Sequence, residues 1–542
     1  MRMRNGVVAL AAVAVGALLP GRLAAQPNTV EPTVEIRLRS VNDLLDKAEY
    51  IGGLVDQEEP IKQVRGLVQA LSADGKGIEG VDPKRPFGVY GVLKSDVESS
   101  PVVVMVPIAD QARFLNMLKE RLSIEPEKAD GGTFKLHVPL INEVYFRFAN
   151  DYLYVARDAK HLDTKGLIAP KTYFGKDDGA VLSVVARFDR IPDDLKTFVT
   201  GQLEHGIQEQ LKKDQKAKSA TEQKLAAILA DGFVGAVKTL VDEGKELRIR
   251  LLVDPKDDDL VAEVVVTAKN GTTLARNLAG LSGKTSLPAG IVATASPVAQ
   301  SATKLALTDE LKKHLDPVID GVIEDAVKQA KPAEKELARK VLTALAPTLK
   351  SGELDSASVL VGPDAKGHHA LLVALAVKNG KGIEKLAKEL TPMIPGDAVK
   401  VTFDVDTVGN FTLHKIELTR TEDSFERLFG TKTLWLAISD GVIAFSIEPD
   451  GALLRAGLKA KPAPISPVSS GVALAKAIPA FDTSLKPDEI KALLKDAFGS
   501  ASPVGKDTIA VTVEGGPQLT IRLSVKGKAV GLAVMMGKLK GK

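Results

Sequence analysis

The stretch FRFANDYLYVA, residues 146–156, decides the reading, because apolar and polar side chains alternate on both sides of Asn150-Asp151. Phe146 and Phe148, with Val144 before them, share one face of a strand while Tyr145 and Arg147 take the other. That is the pattern of an antiparallel strand with one face in a core. Asn-Asp between two such runs marks a hairpin turn, since both side chains tolerate left-handed backbone. LAISDGVIAFS, residues 436–446, has the same form around Asp440-Gly441.

Outward from the first hairpin, strands are expected at 34–38, 87–93, 102–106 and 134–138, with helical spacing over 41–71. Asp110 is placed to cap a helix whose apolar stripe is Phe114, Leu115, Leu118 and Leu122. A Lys/Gly/Asp-rich stretch at 165–179 reads as a linker, followed by a strand at 181–188, two helices over 193–242 and a hairpin over 247–268. A second linker is expected at 280–290, after which the order begins again. The second round reads as a strand pair 357–377, helix 380–390, strands 400–417, hairpin 434–447, linker 457–468, strand 471–477, helix 487–498 and hairpin 508–525.

This matching order predicts a tandem duplication with a period of about 250 residues. A second local echo supports it, LRIRLLV at 247–253 beside LTIRLSV at 519–525. The halves, 80–282 and 290–536, should superpose once a helical block at 308–350 is set aside as an insertion. That block carries Leu311, Leu315, Val318, Ile319, Val322 and Ile323 at helical spacing and reads as a helix pair covering a sheet. The expected fold class is therefore α+β, with tandem duplicated units of antiparallel β-sheet covered by amphipathic helices. The expected division is unit 1a at 26–165, unit 1b at 180–282, unit 2a at 290–456 with the block inside it, and unit 2b at 469–536.

Residues 1–25 read as an export signal: Arg2 and Arg4 precede an apolar run at 6–19, Pro20-Gly21 breaks it, and Ala25-Gln26 is the expected cleavage point. A lipoprotein would need a cysteine just after the cut, and the chain has none. No later segment reaches about 18 unbroken apolar residues, so no transmembrane segment is expected after cleavage. The leader holds Arg2, Arg4 and Arg22 and no acid, so its removal leaves basic and acidic residues equal at 69 each. Phosphate neutralisation needs a localised basic surplus and single-strand binding needs aromatic platforms. With Trp435 the one tryptophan and aromatics at 4%, nucleic acid is not an expected partner, and an aromatic-lined glycan cleft is disfavoured. The absence of cysteine excludes a disulfide scaffold and any thiolate metal site.

Motifs that could carry chemistry fall short. The histidines stand at 137, 161, 205, 314, 368, 369 and 414. His368-His369 opens an expected strand, where neighbouring side chains point to opposite faces and cannot share one ion. Asp254, Asp257, Asp258 and Asp259 lack the spacing, glycine and closing glutamate of a calcium loop. Gly283-Lys284-Thr285 lacks the first glycine of a phosphate loop, whose place is taken by Leu278. Ser301-Ala302-Thr303-Lys304 fits the serine–lysine spacing of penicillin-binding proteins without the polar elements that should follow it. No G-x-S-x-G elbow occurs. The residues therefore assign no catalytic, metal or cofactor-binding position, and no cofactor.

The segments FANDYLYVARDAKHL at 148–162 and LAISDGVIAFSIEPDGALLRA at 436–456, each leading to a strand–helix–hairpin unit, resemble exported bacterial proteins of planctomycete type with repeated α+β units. The resemblance spans most of residues 80–530 and implies export without implying an activity or site residues. The expected role is an exported, non-enzymatic scaffold or binding protein of the periplasm or cell exterior, with a protein or cell-envelope component as partner and its oligomeric state open. Two rivals are an envelope hydrolase whose site is assembled from distant residues, and a carrier of lipid or another small apolar ligand.

Overall fold

The computed structural model describes residues 31–540 except 72–76, 139–141, 176, 215–219, 295, 308, 331–334, 394–398, 482–485 and 500–502. The expected export signal at 1–25 lies outside the described residues. The chain is α+β and forms two compact units. The first comprises residues up to Val199, Leu240–Leu274 and Lys526–Val534; the second comprises Thr200–Thr239, Ala275–Val525 and Met535–Lys542.

In the first unit β1 (Val34–Leu38) is followed by the helices α1 (Val41–Leu54) and α2 (Glu58–Gln69), then β2 (Phe87–Gly91) and β3 (Val102–Pro107). Ser40 starts α1, its hydroxyl accepting from the Asp43 amide at 3.0 Å. Asp110 starts α3 (Gln111–Leu122) as its sequence context predicts, accepting from the Arg113 amide at 3.0 Å. Next come β4 (Glu127–Ala129), β5 (Thr133–Val138), β6 (Asn142–Ala149) and β7 (Tyr152–Ala156). Asn150 and Asp151 between the last two both adopt left-handed backbone, with φ of 52° and 58°. Helix α4 (Pro170–Phe174), β8 (Leu182–Arg187), helices α5 (Asp193–Asp214) and α6 (Ala220–Glu243), β9 (Gly244–Asp254), β10 (Asp259–Ala268) and α7 (Thr273–Gly280) follow in the chain, with Thr200–Thr239 of α5 and α6 and α7 from Ala275 onward counted in the second unit.

Every pairing in this unit is antiparallel, and the strands run in the order β4-β5-β6-β7-β3-β2-β1-β8-β9-β10. β1 pairs with both β2 and β8, so the segments expected as units 1a and 1b share one sheet. The stretch 165–179, expected as a linker, contributes α4, whose Tyr173 is buried and donates its hydroxyl proton to the Val89 carbonyl oxygen at 2.8 Å. A short polar-rich stretch conceals such an anchor because one aromatic residue makes no periodicity.

The second unit holds β11 (Lys284–Ser286), α8 (Leu287–Ile291), β12 (Ala299–Ala306), α9 (Asp309–Gln329), α10 (Lys335–Lys350), β13 (Glu353–Val361) and β14 (Ala370–Ala376). It continues with α11 (Gly380–Leu390), β15 (Val399–Val408), β16 (Phe411–Leu418), α12 (Asp423–Phe429), β17 (Thr433–Ile438) and β18 (Val442–Ile447). Last come α13 (Ala452–Gly457), β19 (Ala463–Ile465), β20 (Val468–Ala473), α14 (Leu474–Phe481), α15 (Pro487–Phe498), β21 (Thr508–Glu514) and β22 (Gln518–Lys526), after which α16 (Gly527–Lys540) belongs to the first unit as far as Val534. Its antiparallel sheet runs β15-β16-β17-β18-β14-β13-β12-β20-β21-β22. The expected linkers at 280–290 and 457–468 contain β11 and β19, which pair with each other as a separate two-stranded ribbon.

Position for position, the two sheet orders coincide. The helical block expected as an insertion has a counterpart: α9 and α10 lie between β12 and β13 as α1 and α2 lie between β1 and β2. The matching halves therefore begin at β1 and β12, and no helical block has to be set aside. The echo at 146–156 and 436–446 joins strands of equal position, β6–β7 and β17–β18, whereas the echo between 247–253 and 519–525 joins β9 to β22, which hold different positions in their sheets. Alternating aliphatic strands repeat short words cheaply, so the second echo has no structural counterpart.

Each sheet carries an apolar core on both faces over part of its width. In the first unit Tyr90, Val103, Met105 and Tyr154 form one core, and Phe114, Met117, Phe146 and Leu153 form the other. In the second, Leu372, Leu413, Trp435 and Ala444 pack with α8, while Leu360, Phe429 and Ile447 fill the opposite side.

Candidate functional site

The cluster with the most chemistry lies in the second unit, where α11 crosses β15 and β16. Asn379 caps α11, accepting from the Gly382 amide at 3.2 Å. Gly380 lets the helix start against the β17–β18 turn, because a Cβ there would stand 2.0 Å from the Ser439 carbonyl oxygen. One turn on, Glu384 occupies a slot that helical spacing reserves for an apolar residue, and it is 5% exposed.

The β15–β16 ladder loses register between Thr402 and Asp406, a bulge in which Asp404 takes left-handed backbone with φ 54°. The Asp404 amide donates to Nδ1 of His414 at 3.1 Å. His414, on β16, is 1% exposed, with the Phe403 ring edge-on at 5.3 Å. Accepting at Nδ1 leaves the proton of the neutral ring on Nε2, which faces Glu384 Oε1 at 3.5 Å without making a hydrogen bond. Burial drives the His414 pKa below its ordinary value, against the opposing pull of Glu384 and Asp404.

Two lysines complete the cluster. Lys381 donates to Glu384 Oε2 and to Thr412 Oγ1, both at 2.8 Å. Lys388 bridges Glu384 Oε1 at 2.9 Å and both Asp404 oxygens at 2.7 and 2.9 Å. Burial alone would raise the Glu384 pKa, but hydrogen bonds from the two ammonium groups outweigh it and hold the carboxyl below its usual range. The Lys388 pKa is raised by its bonds to Asp404 and Glu384.

Glu384, Asp404 and His414 offer ligand atoms within 4.8 Å of one another, the spread of a metal-binding set. The donor chemistry does not fit a divalent ion. The carboxylate oxygens already hold ammonium groups, and the histidine has one nitrogen accepting from an amide and a proton on the other. General acid–base work needs reach to a substrate, which a ring 1% exposed does not have. What the arrangement does hold is a single proton-accepting position, Nδ1, inside a balanced set of two carboxylates and two ammoniums.

The residues weighed from sequence lie elsewhere, except His414. His368 and His369 fall just before β14; His369 is buried, and His368 Nδ1 lies 3.8 Å from Asp364. His137 and His205 are exposed, and His314 falls on α9. The Asp254–259 turn uses its acids for structure. Asp254 accepts from the Lys256 amide at 2.9 Å, Asp258 accepts from the Tyr50 hydroxyl at 2.5 Å and the Lys528 amide at 2.9 Å, and Asp259 pairs with Lys526 at 2.8 Å. Ser301 and Lys304 sit three apart on β12, where that spacing puts them on opposite faces. Lys304 pairs with Asp355 at 2.6 Å, whereas Ser301 Oγ meets Ser470 Oγ at 2.8 Å.

Sequence reading passed over Glu384, Asp404, Lys381 and Lys388, and counted His414 only among the histidines. The available signal was a glutamate inside the apolar stripe of GKGIEKLAKEL together with a histidine in the inward slot of FTLHKIEL. Comparison with protein-family models, curated proteins and solved structures returned no match.

Proposed function

We propose that the chain is an exported scaffold or binding protein of the cell envelope, built from two copies of one ten-stranded unit, and that it engages a protein partner through an aliphatic sheet face. Coincident strand orders support the two copies, and the basic, apolar leader supports export.

The reading rests on one observation. In the first unit, Val89, Ile36, Val184, Ile249 and Val264 stand opposite one another across β2-β1-β8-β9-β10, and Ile36 and Ile249 remain 38% and 44% exposed. An aliphatic row with two exposed isoleucines between half-buried valines suits a contact surface, since covering its open part gains roughly 25 cal/mol per Å². Leu182 and Leu251, on the same face, are exposed as well. No helix among the described residues is long and apolar enough to cross a membrane.

A photo-crosslinking residue at Ile249, with Lys256 as the polar control, tests the reading in protein purified from its native envelope. A protein adduct at Ile249 alone is expected. A lipid adduct there would transfer the reading to an apolar-ligand carrier, and labelling no stronger than at Lys256 would refute the contact surface. Sequencing of the mature N-terminus should begin near Gln26; an intact Met1 start would remove export by cleavage.

A further inference from the structure

We infer that His414 and the Asp404 bulge form a pH-sensitive latch in the second unit, independent of the scaffold reading. The geometry carries it. Nδ1 of His414 holds the bulge closed by accepting the Asp404 amide, and acceptance requires that nitrogen to be unprotonated.

A proton added to His414 goes to Nδ1, because Nε2 already carries one. Two N–H groups then face each other and the bulge loses its only side-chain acceptor for the Asp404 amide. The carboxylate of Asp404 lies 3.8 Å from the same nitrogen, close enough to take the new N–H by a small rotation, at the expense of its bonds to Lys388. Among the described residues the charged groups that face the ring all take part: Glu384, Lys381 and Lys388 from α11 and Asp404 from β15, while β17 presents Leu436 across the ladder. These charges balance with a neutral ring, and protonation leaves one uncompensated positive charge in a buried position. The backbone at Asp404 is left-handed, a conformation that aspartate tolerates in a bulge.

The latch has a built-in reporter. Asp406, at the end of the same bulge, pairs with Arg455 at 2.8 Å, and the Arg455 guanidinium lies over the Trp435 ring at 4.6 Å. Trp435 is the chain's one tryptophan, so its emission reads the bulge through Arg455.

The test uses the full chain, titrated from about pH 7.5 to about pH 5 with Trp435 emission, amide exchange at Asp404 and nitrogen chemical shifts of labelled histidine as readouts. At the upper pH, His414 should show an unprotonated Nδ1. On acidification the protection of the Asp404 amide, its exchange rate taken relative to the base-catalysed rate of an open amide at the same pH, should fall about tenfold, together with a change in Trp435 emission whose midpoint lies below the ordinary histidine value of 6.5. His414→Phe should fold with the emission step absent. A step that persists unchanged in that variant overturns the latch. So does an Nδ1 already protonated at the upper pH in the natural protein, which decides the matter even if the variant fails to fold.

Discussion

Two corners of the molecule share one backbone plan and differ in what fills them. In the first unit α3 lays Leu115 and Phe114 over β5 and β6, where Phe134 stacks on Phe146 at 5.0 Å and Phe148 meets Phe146 edge-on at 5.6 Å. In the second, α11 covers β16 and β17. Counting from the caps Asp110 and Asn379 sets Glu384 in the place of Leu115. Counting along the ladder, where Phe134 faces Phe146 and His414 faces Leu436, sets His414 in the place of Phe134. The same exchange recurs in the sheet centre, where Val89, Ile36 and Val184 have Ser358, Ser301 and Ser470 as counterparts. A fold of this kind accepts either an aromatic stack or a neutralised ionic cluster at one site, because each satisfies burial in its own way. Apolar carbon is removed from water in one, and every charge keeps an opposite charge in the other. Only the ionic version can respond to pH.

The contrast can be broken at its apolar end first. Phe146→Ala removes a ring 1% exposed from the stack and should lower stability by about 3–5 kcal/mol, read by the tyrosine signal of a denaturant titration. All six tyrosines, at 50, 90, 145, 152, 154 and 173, lie in the first unit, so that signal is local. A loss below about 1 kcal/mol would show that the stack is not a core.

Converting the ionic corner into the apolar one sharpens the comparison. Glu384→Leu alone takes away the buried carboxylate that the Lys381 and Lys388 ammonium groups share and should cost about 1–3 kcal/mol. Combined with His414→Phe it should recover to within about 1 kcal/mol of the natural protein, a coupling measurable by a double-mutant cycle on the Trp435 transition. Additive losses would mean that the two corners are not interchangeable.

The pH response should separate the corners at a smaller scale. Because the His414 pKa is lowered on folding, its contribution is complete above the unfolded-state value near 6.5 and is lost as pH falls through the folded value. The loss is at most about 1.4 kcal/mol per pH unit in that window, and the phenylalanine variant should show none of it. The smallest effect is expected from Arg455→Ala, about 0.5–1 kcal/mol, with a shift in Trp435 emission; an unchanged spectrum would show that the stacking is not populated in solution.

Hairpins, caps and helix stripes were legible residue by residue: Asn150-Asp151 turns as expected and Asp110 caps as expected. These features repeat over two or four residues, so a short window contains the whole cause, and the α+β class follows from them. The place of the 308–350 helices as a regular element, the buried anchor Tyr173 inside an apparent linker, and the pairing of β1 with both β2 and β8 were not legible. The meeting of Glu384 with Asp404 and His414 was hidden for the same reason. Each depends on which distant strand becomes a neighbour, and on whether a polar side chain that arrives inside finds its charge and proton partners there, and neither is written in the spacing of any one segment.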